Sequence, residues 1–364
     1  MKAVILVGGK ATRLLPLTHN TPKAIVPILN RPFLEYAIHH LSQHNVNEIV
    51  LAQGHLARPI ENQLGDGTQF GIRISYVVES TPLGTAGAIK NAEKHLNETL
   101  LVLNGDIITD LDITSMVDFH HEKRAKVTIA ITPVDDPTSY GLVETEADNR
   151  ILSFLEKPDK NEVNTNMINA GTYVMEPEVV ASIPPQTNFS FERQVFPQLL
   201  SQGESIYAYS TPSYWIDMGT PGKYLQLHRD LLSGKCRTYR TITDKEVIIG
   251  KNSNVHPTAQ IEGPVIIGSN CSIGERVKLI GPVVIGDGCT ILEDSIIKDC
   301  VIWRNVNLGP RVNLKNSILA DNCCFNSDSI GIEAVIGDNV TVTSNCKIEP
   351  GSKIEPGTTV NTTD

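Results

Sequence analysis

Two glycines and two cations near the start of the chain carry its first chemistry. Gly8 and Gly9 follow an apolar run at residues 3–7, which predicts a buried strand. Within the next fifteen residues come Arg13 and Lys23, with Pro16, Pro22 and Pro27 between and after them. Glycine permits positive φ and lets main-chain N–H groups approach a ligand closely. Proline fixes φ and stiffens the path. The stretch 7–32, VGGKATRLLPLTHNTPKAIVPILNRP, therefore predicts a rigid loop that donates backbone N–H groups and two cations to one place. That chemistry suits a polyphosphate. No GxxxxGK[ST] is present and no GxGxxG follows the strand, so neither a P-loop nor the dinucleotide fingerprint fits.

Other candidate residues lie further along. Residues 79–88 (ESTPLGTAGA) follow one predicted strand and open a helix, and their small residues would let the backbone approach a flat base. Asp106 closes LVLNGD at the carboxyl end of a predicted strand, where a metal ligand is expected. Asn104-Gly105 would signal a hairpin, but the residues after it look helical. Taken singly, Tyr140-Gly141, Glu156-Lys157-Pro158 and Asn169-Ala170-Gly171 read as ordinary strand starts and turns.

Their order and spacing resemble a family. The stretch Gly8-Gly9-Lys10-Ala11-Thr12-Arg13, then Pro16-Leu17-Thr18, then Pro22-Lys23-Ala24 is similar to the signature of the sugar-nucleotide pyrophosphorylases, nucleotidyltransferases that make NDP-sugars. Ala24 replaces a proline. Ala11 replaces a glycine, and alanine tolerates positive φ poorly. The resemblance implies that Leu6, Gly8, Gly9, Thr12, Arg13 and Gly105 bind the nucleotide. It implies that Glu79, Pro82, Gly84, Thr85 and Ala86 hold its base. By the same resemblance Gly141, Glu156, Asn169 and Gly171 bind the sugar, and Lys157 holds the phosphate of the sugar 1-phosphate. Asp106 and Asp217, the latter in WIDMGTP, correspond to the family's Mg²⁺ ligands, and Arg13, Lys23 and Asp106 to its catalytic residues.

The elements that must position these residues follow an α/β rhythm. Strands are predicted at 48–53, 73–78 and 99–103, and helices at 32–44, 113–122 and from about 222. Such alternation argues for a Rossmann-like mixed, mostly parallel sheet with helices on both faces, and its ligands bind beyond the carboxyl ends of the strands. The chain has 364 residues and 40% hydrophobic content, which predicts two domains with real cores. The expected division is a catalytic domain at 1–232, a linker at 233–246 and a second domain at 247–364. A net charge of −10 without a basic run argues against a nucleic-acid surface. There is no signal-peptide h-region and no apolar stretch long enough for a membrane span. Seven cysteines without metal spacing point to reduced thiols in a cytoplasmic protein.

After residue 246 a six-residue period replaces the α/β rhythm. Ile249, Val255, Ile261, Ile267, Ile273, Leu279, Ile285, Ile291 and Ile297 are six apart. The period resumes at Val306 and runs through Val312, Ile318, Cys324, Ile330, Ile336, Val342, Ile348 and Ile354 to Val360, so one nine-residue step is expected near Trp303. Hexads are the signature of a β-helix with Gly, Asn and Asp at its corners. The resemblance makes it a left-handed parallel β-helix, structural and a site of homo-oligomerisation. The only histidine beyond residue 228 is His256, which reads as a corner residue and not as an acyltransferase base.

The activity implied is NTP plus sugar 1-phosphate giving NDP-sugar and pyrophosphate with Mg²⁺. PLGTAG (82–87) resembles the version in mannose-1-phosphate guanylyltransferases and implies GTP and mannose 1-phosphate. The alternatives are a uridylyl- or thymidylyltransferase acting on glucose 1-phosphate, and a non-catalytic regulatory paralogue.

Overall fold

The computed structural model describes residues 1–54, 56–210, 212–239 and 247–361. The chain forms two compact units, residues 1–9 with 34–216, and residues 10–33 with the chain from 217 onward.

In the first unit the α/β alternation is present. Strand β1 (Lys2–Leu6) is followed by α1 (Phe33–Gln43), β2 (Glu48–Gln53), α2 (Ala57–Leu64) and β3 (Arg73–Val78). Then come α3 (Gly84–Asn91), β4 (Leu100–Asn104), β5 (Ile107–Thr109) and α4 (Ile113–Lys123). The second half adds β6 (Val127–Pro133), β7 (Gly141–Thr145), β8 (Ile151–Glu156), β9 (Met167–Met175), β10 (Ile206–Ser210) and β11 (Trp215–Asp217). The residues after Asp106 are a strand, not the expected helix. Ile107-Ile108-Thr109 is β-branched throughout and pairs as β5 with β11. The helix starts only at Ile113, where the Asp112 carboxylate accepts from the Ser115 N–H. Pro32 ends a short strand just before α1 and does not lie in its first turn.

The main sheet runs β8-β7-β9-β4-β1-β2-β3, with β6 on β9 and β10 on β6. Its β4-β1-β2-β3 part is parallel, and β9 joins it antiparallel to β4. The central strands are buried on both faces, as parallel strands under helices must be. A core cluster that includes Val4, Ile89, Val102, Tyr173, Phe191 and Phe196 holds sheet and helices together.

The second unit contains α7 (Pro221–Leu232), reached after two short helices, α5 (Pro177–Ala181) and α6 (Phe196–Ser201), of the first unit. Thr220 caps α7 and Pro221 occupies its first turn. Of the expected linker, Arg237–Tyr239 form one 3₁₀ turn, and 240–246 lie outside the described residues. From Val247–Ile249 to Thr359–Val360 the chain winds a parallel β-helix with three sheets of seven, seven and six strands. Its corners use left-handed backbone, filled by Asn252, Asn270, Asn305, Asn322 and Asn339 in one column. Asparagine tolerates this region better than other non-glycine residues. In another column Arg276 pairs with Asp294 and Arg311 with Asp328.

The coil register differs from a single nine-residue step near Trp303. Parallel pairing stacks Ile285 on Ile302 and Leu319 on Ile336 through the intervening coils, so three coils contain seventeen residues. After Ile297 the inward column is Ile302, Leu308, Leu314, Leu319, Phe325, Gly331 and Ile336. Val306 and Val312 are buried two residues away, in a companion inward column, and Cys324 and Ile330 are only half-buried. Each five-residue side moves the phase by one. Three of them equal a half-period, which is why the six-fold count resumes in phase at Ile336. Gly331 faces this interior because a Cβ there would lie 3.6 Å from the Phe325 ring and 3.0 Å from Leu314.

Phe325→Ala is expected to cost about 3–5 kcal/mol, as for other buried aromatics, and Cys324→Ser well under half of that. Thermal melting of both variants checks the register; equal losses would return Cys324 to the interior.

Candidate active site

The parallel strands of the first unit end side by side. Ladder bonds continue past the strand ends, from Val7 N–H to Ala52 O, Glu79 N–H to Gln53 O and Gly105 N–H to Leu6 O. This lines up Gly8, Gly54, Glu79 and Gly105 on one edge, with Leu6 and Gly9 beside them and Asp106 next after Gly105. Contact here is close. A Cβ on Gly8 would lie 2.6 Å from Glu79 Oε1, and one on Gly54 would lie 2.8 Å from the Gly8 carbonyl. A Cβ on Gly105 would lie 2.6 Å from the Leu6 carbonyl. These glycines are required by packing before any ligand arrives.

The Glu79 carboxylate is fixed at this edge, with Oε2 accepting from the Leu83 N–H at 3.1 Å. Burial raises its pKa, opposed by that N–H bond. Gly84 takes φ +70° and starts α3. Around it the loop is tied from inside. Asn188 donates to the Pro82 carbonyl, and the N–H groups of Ala86 and Gly87 both donate to the Phe189 carbonyl. The Thr85 hydroxyl donates to Glu192 and accepts from the Phe191 N–H. Thr85 and Ala86 therefore set the loop's shape, and the surface they support is that of Glu79, Pro82 and Gly84.

The expected sugar-phosphate residues converge through β7, β8 and β9. Gly141 stands directly opposite Glu156, and Leu142 opposite Ile168, which brings Asn169 alongside. Gly141 has no room for a Cβ against the Phe154 ring. Burial and the nearby Glu192 raise the Glu156 pKa. Lys157 follows with left-handed backbone, φ 52°, and its N–H donates to the Tyr140 carbonyl. Asn169 accepts from the Gly171 N–H and donates to the Tyr173 hydroxyl. Gly171, φ +69°, lies against the Asn104 side chain. Trp215 packs here, its indole donating to the Ala170 carbonyl at 3.0 Å and standing edge-on to Tyr140.

Thr12, Arg13, Lys23 and Asp217 belong to the second unit. Thr12 and Arg13 lie in one 3₁₀ turn, and Lys23 opens another. Ala11 precedes the first with φ 49° and ψ 39°, so the loop keeps the left-handed conformation in spite of its methyl group. The Thr18 hydroxyl donates to the Ala11 carbonyl. Arg13 and Asp217 meet at Gly219, where a Cβ would lie 2.8 Å from Asp217 Oδ2 and 3.1 Å from the Arg13 guanidinium. Asp217 is buried and also pairs with the Lys223 ammonium. Among the described residues no three His, Cys, Asp or Glu side chains form a metal cage.

Residues 2–234 match the family described as Nucleotidyl transferase. The chain belongs to the nucleotidyl transferase family. Residues 243–328 match a second description, GMPPB C-terminal domain. Among curated relatives of this nucleotidyl transferase, mannose-1-phosphate guanylyltransferase of Mycobacterium tuberculosis is 42% identical over 64% of the chain and 65% of that protein. Mannose-1-phosphate guanyltransferase of Pichia angusta is 37% identical over 72% and 73%. UTP–glucose-1-phosphate uridylyltransferase of Synechocystis is 35% identical over 92% and 90%. The crystal structure of HddC from Yersinia pseudotuberculosis, also known complexed with GMP-PN, is 30% identical. It covers 63% of this chain and 99% of its own, with a TM-score of 0.56.

Several residues at these sites gave no isolated signal in the sequence. Gly54 ends a strand unremarkably, and its need is visible only once it faces Gly8 and Glu79. The carbonyl of Phe189, more than a hundred residues from the α3 loop that it ties, had no local signature. Gln53, fully buried beside Gly54, has no partner for either side-chain amide atom among the described residues.

The left-handed backbone at Ala11 makes this position sensitive to branching. Ala11→Val is expected to cost about 1 kcal/mol or more and to raise the KM for NTP. Ala11→Gly keeps turnover. Steady-state kinetics with thermal melts check both.

Proposed function

We propose that this nucleotidyl transferase joins GTP to mannose 1-phosphate, giving GDP-mannose and pyrophosphate. The observation that carries the nucleotide choice is the Glu79 carboxylate, held by the Leu83 N–H at the edge formed by Gly8 and Gly54. An ionised carboxylate only accepts hydrogen bonds. Guanine offers two adjacent donors, its N1–H and 2-amino group. Uracil and thymine offer one donor flanked by carbonyls, which would leave a carboxylate oxygen facing an acceptor. The relatives from M. tuberculosis and P. angusta carry guanylyltransferase names, which supports the same reading. The long match to the Synechocystis uridylyltransferase favours UTP and glucose 1-phosphate as the second reading.

In the proposed mechanism a phosphate oxygen of the sugar 1-phosphate attacks the α-phosphorus of the NTP in line with the departing pyrophosphate. The nucleophile is already an anion, so no general base is required. The barrier is the approach of anions and the charge on bridging oxygens, so catalysis is positioning and electrostatic stabilisation. Arg13 neutralises the triphosphate and the developing pyrophosphate, Lys23 the α-phosphate region, and Lys157 the incoming phosphate. Gly141, Glu156 and Asn169 orient the sugar. The family generally uses a divalent metal, and Mg²⁺ fits the donor set here. Asp106 and Asp217 would hold it. The cation supplies charge neutralisation between the reacting phosphates.

Pyrophosphate release over a grid of nucleotides and sugar 1-phosphates tests the substrates. GTP with mannose 1-phosphate should dominate, and a dominant UTP or dTTP signal with glucose 1-phosphate overturns the guanine reading. Glu79→Gln should lower the preference for GTP by about tenfold or more, the effect of an unmatched buried hydrogen-bond group. The KM for GTP should rise as pH falls through the raised Glu79 pKa, because the protonated group loses one of its two acceptors. Asp217→Ala should abolish turnover while far-UV circular dichroism stays native; full turnover with Mg²⁺ in that variant removes Asp217 from the metal.

A further inference from the structure

The second unit contains the signature segment, α7 and the β-helix, and three sets of contacts tie them together. The first is buried. Trp303 directly follows the first five-residue side of the β-helix, and its indole N–H donates to the Tyr224 hydroxyl at 2.9 Å. That hydroxyl donates in turn to the Pro27 carbonyl at 2.6 Å. Trp303 and Tyr224 are both buried, and the ring of His228 packs edge-on against Tyr224 at 4.7 Å. The second lies on two neighbouring coils. Asp338 accepts from the Asn20 amide at 3.0 Å, and Glu355 lies 2.9 Å from the His19 ring. Asp338 is largely buried, and its other oxygen accepts from the Asp321 N–H. In the third, Asn30, at the left-handed tip of the hairpin formed by 27–28 and 31–32, donates to the Ile285 carbonyl at 2.8 Å. Helix α7 is anchored as well, Arg229 bonding Asp299 through two nitrogens.

Lys23 lies between these ties, three residues after Asn20 and four before Pro27. Pro22 and Pro27 limit the slack on both sides. We propose that the β-helix is a positioning element for the transfer reaction: Asp338, and Trp303 acting through Tyr224, clamp the backbone on both sides of Lys23. None of these groups touches the reacting atoms. They act by holding an ammonium whose own stem is flexible. An error of about 1 Å in such a group costs up to about a hundredfold in rate. The proposal rests on the reading of Lys23 as a catalytic cation.

The test compares full-length wild type, Lys23→Ala, Tyr224→Phe, Asn20→Ala, Asp338→Asn and Arg276→Ala. Pyrophosphate release is measured with each substrate varied, and amide hydrogen exchange is followed over residues 10–33. Tyr224→Phe removes one hydroxyl and keeps the ring, and Asn20→Ala acts at the surface. Each should lower kcat about tenfold or more with the KM for sugar 1-phosphate within about twofold, and speed exchange over 10–33. Asp338→Asn offers one acceptor oxygen to the two donors that the carboxylate serves, the Asn20 amide and the Asp321 N–H, and should lower kcat in the same direction as Asn20→Ala. Arg276→Ala breaks a β-helix ion pair remote from the ties and should match wild type. If Tyr224→Phe does not fold, Asn20→Ala decides. Wild-type kcat and wild-type exchange in the tie variants, with Lys23→Ala inactive, overturn the positioning role alone. Full turnover in Lys23→Ala overturns the reading of Lys23 and the proposal with it.

Discussion

Close main-chain approach at the strand ends is the constraint on which the candidate edge depends. Gly8 and Gly54 stand nearer than any side chain would allow, and Glu79 leans against both. The parallel register of β1, β2 and β3 forces this meeting. It brings the Gly8 and Gly54 backbone against the Glu79 carboxylate. Main chain, not side chains, fills the space between Gly8 and Gly54. The glycines are thus required at this edge by packing alone.

Much of the edge was legible because strands reveal themselves by apolar runs and the loops after them carry unusual residues. β2 and β3 matched the sequence limits, and β4 began one residue late. Asp106 was placed at a strand end correctly. The strand after it was missed because three residues are too few for a period to show. The residues expected at a sugar-phosphate site were grouped in the sequence only through their resemblance in order and spacing. Singly they look like turns, and what gathers them is the antiparallel pairing of β7, β8 and β9, a long-range event. The tie from Phe189 to the α3 loop uses a main-chain carbonyl, which no residue type can announce.

The β-helix shows how a strong periodic signal can be right in kind and wrong in detail. A shortened side costs one residue and turns every later side chain by one position. Hydrophobic counting cannot see this while two inward columns, two residues apart, are both aliphatic. Val306 and Val312 satisfied the count from the companion column. Phe325 and Gly331 settle the register, since a large ring and a missing side chain are neighbours in the same interior.

The ties within the second unit span an unusual distance along the chain. Asn20 and Asp338 are 318 residues apart. Ribosomes add roughly 5–20 residues per second, so the signature segment waits tens of seconds for its last partners after it emerges. Closing so long a loop also carries the entropy of a late event. Residues 10–33 therefore take their final shape only after Asp338 has been made. A nascent chain that has not reached Asp338 holds the signature but not its setting.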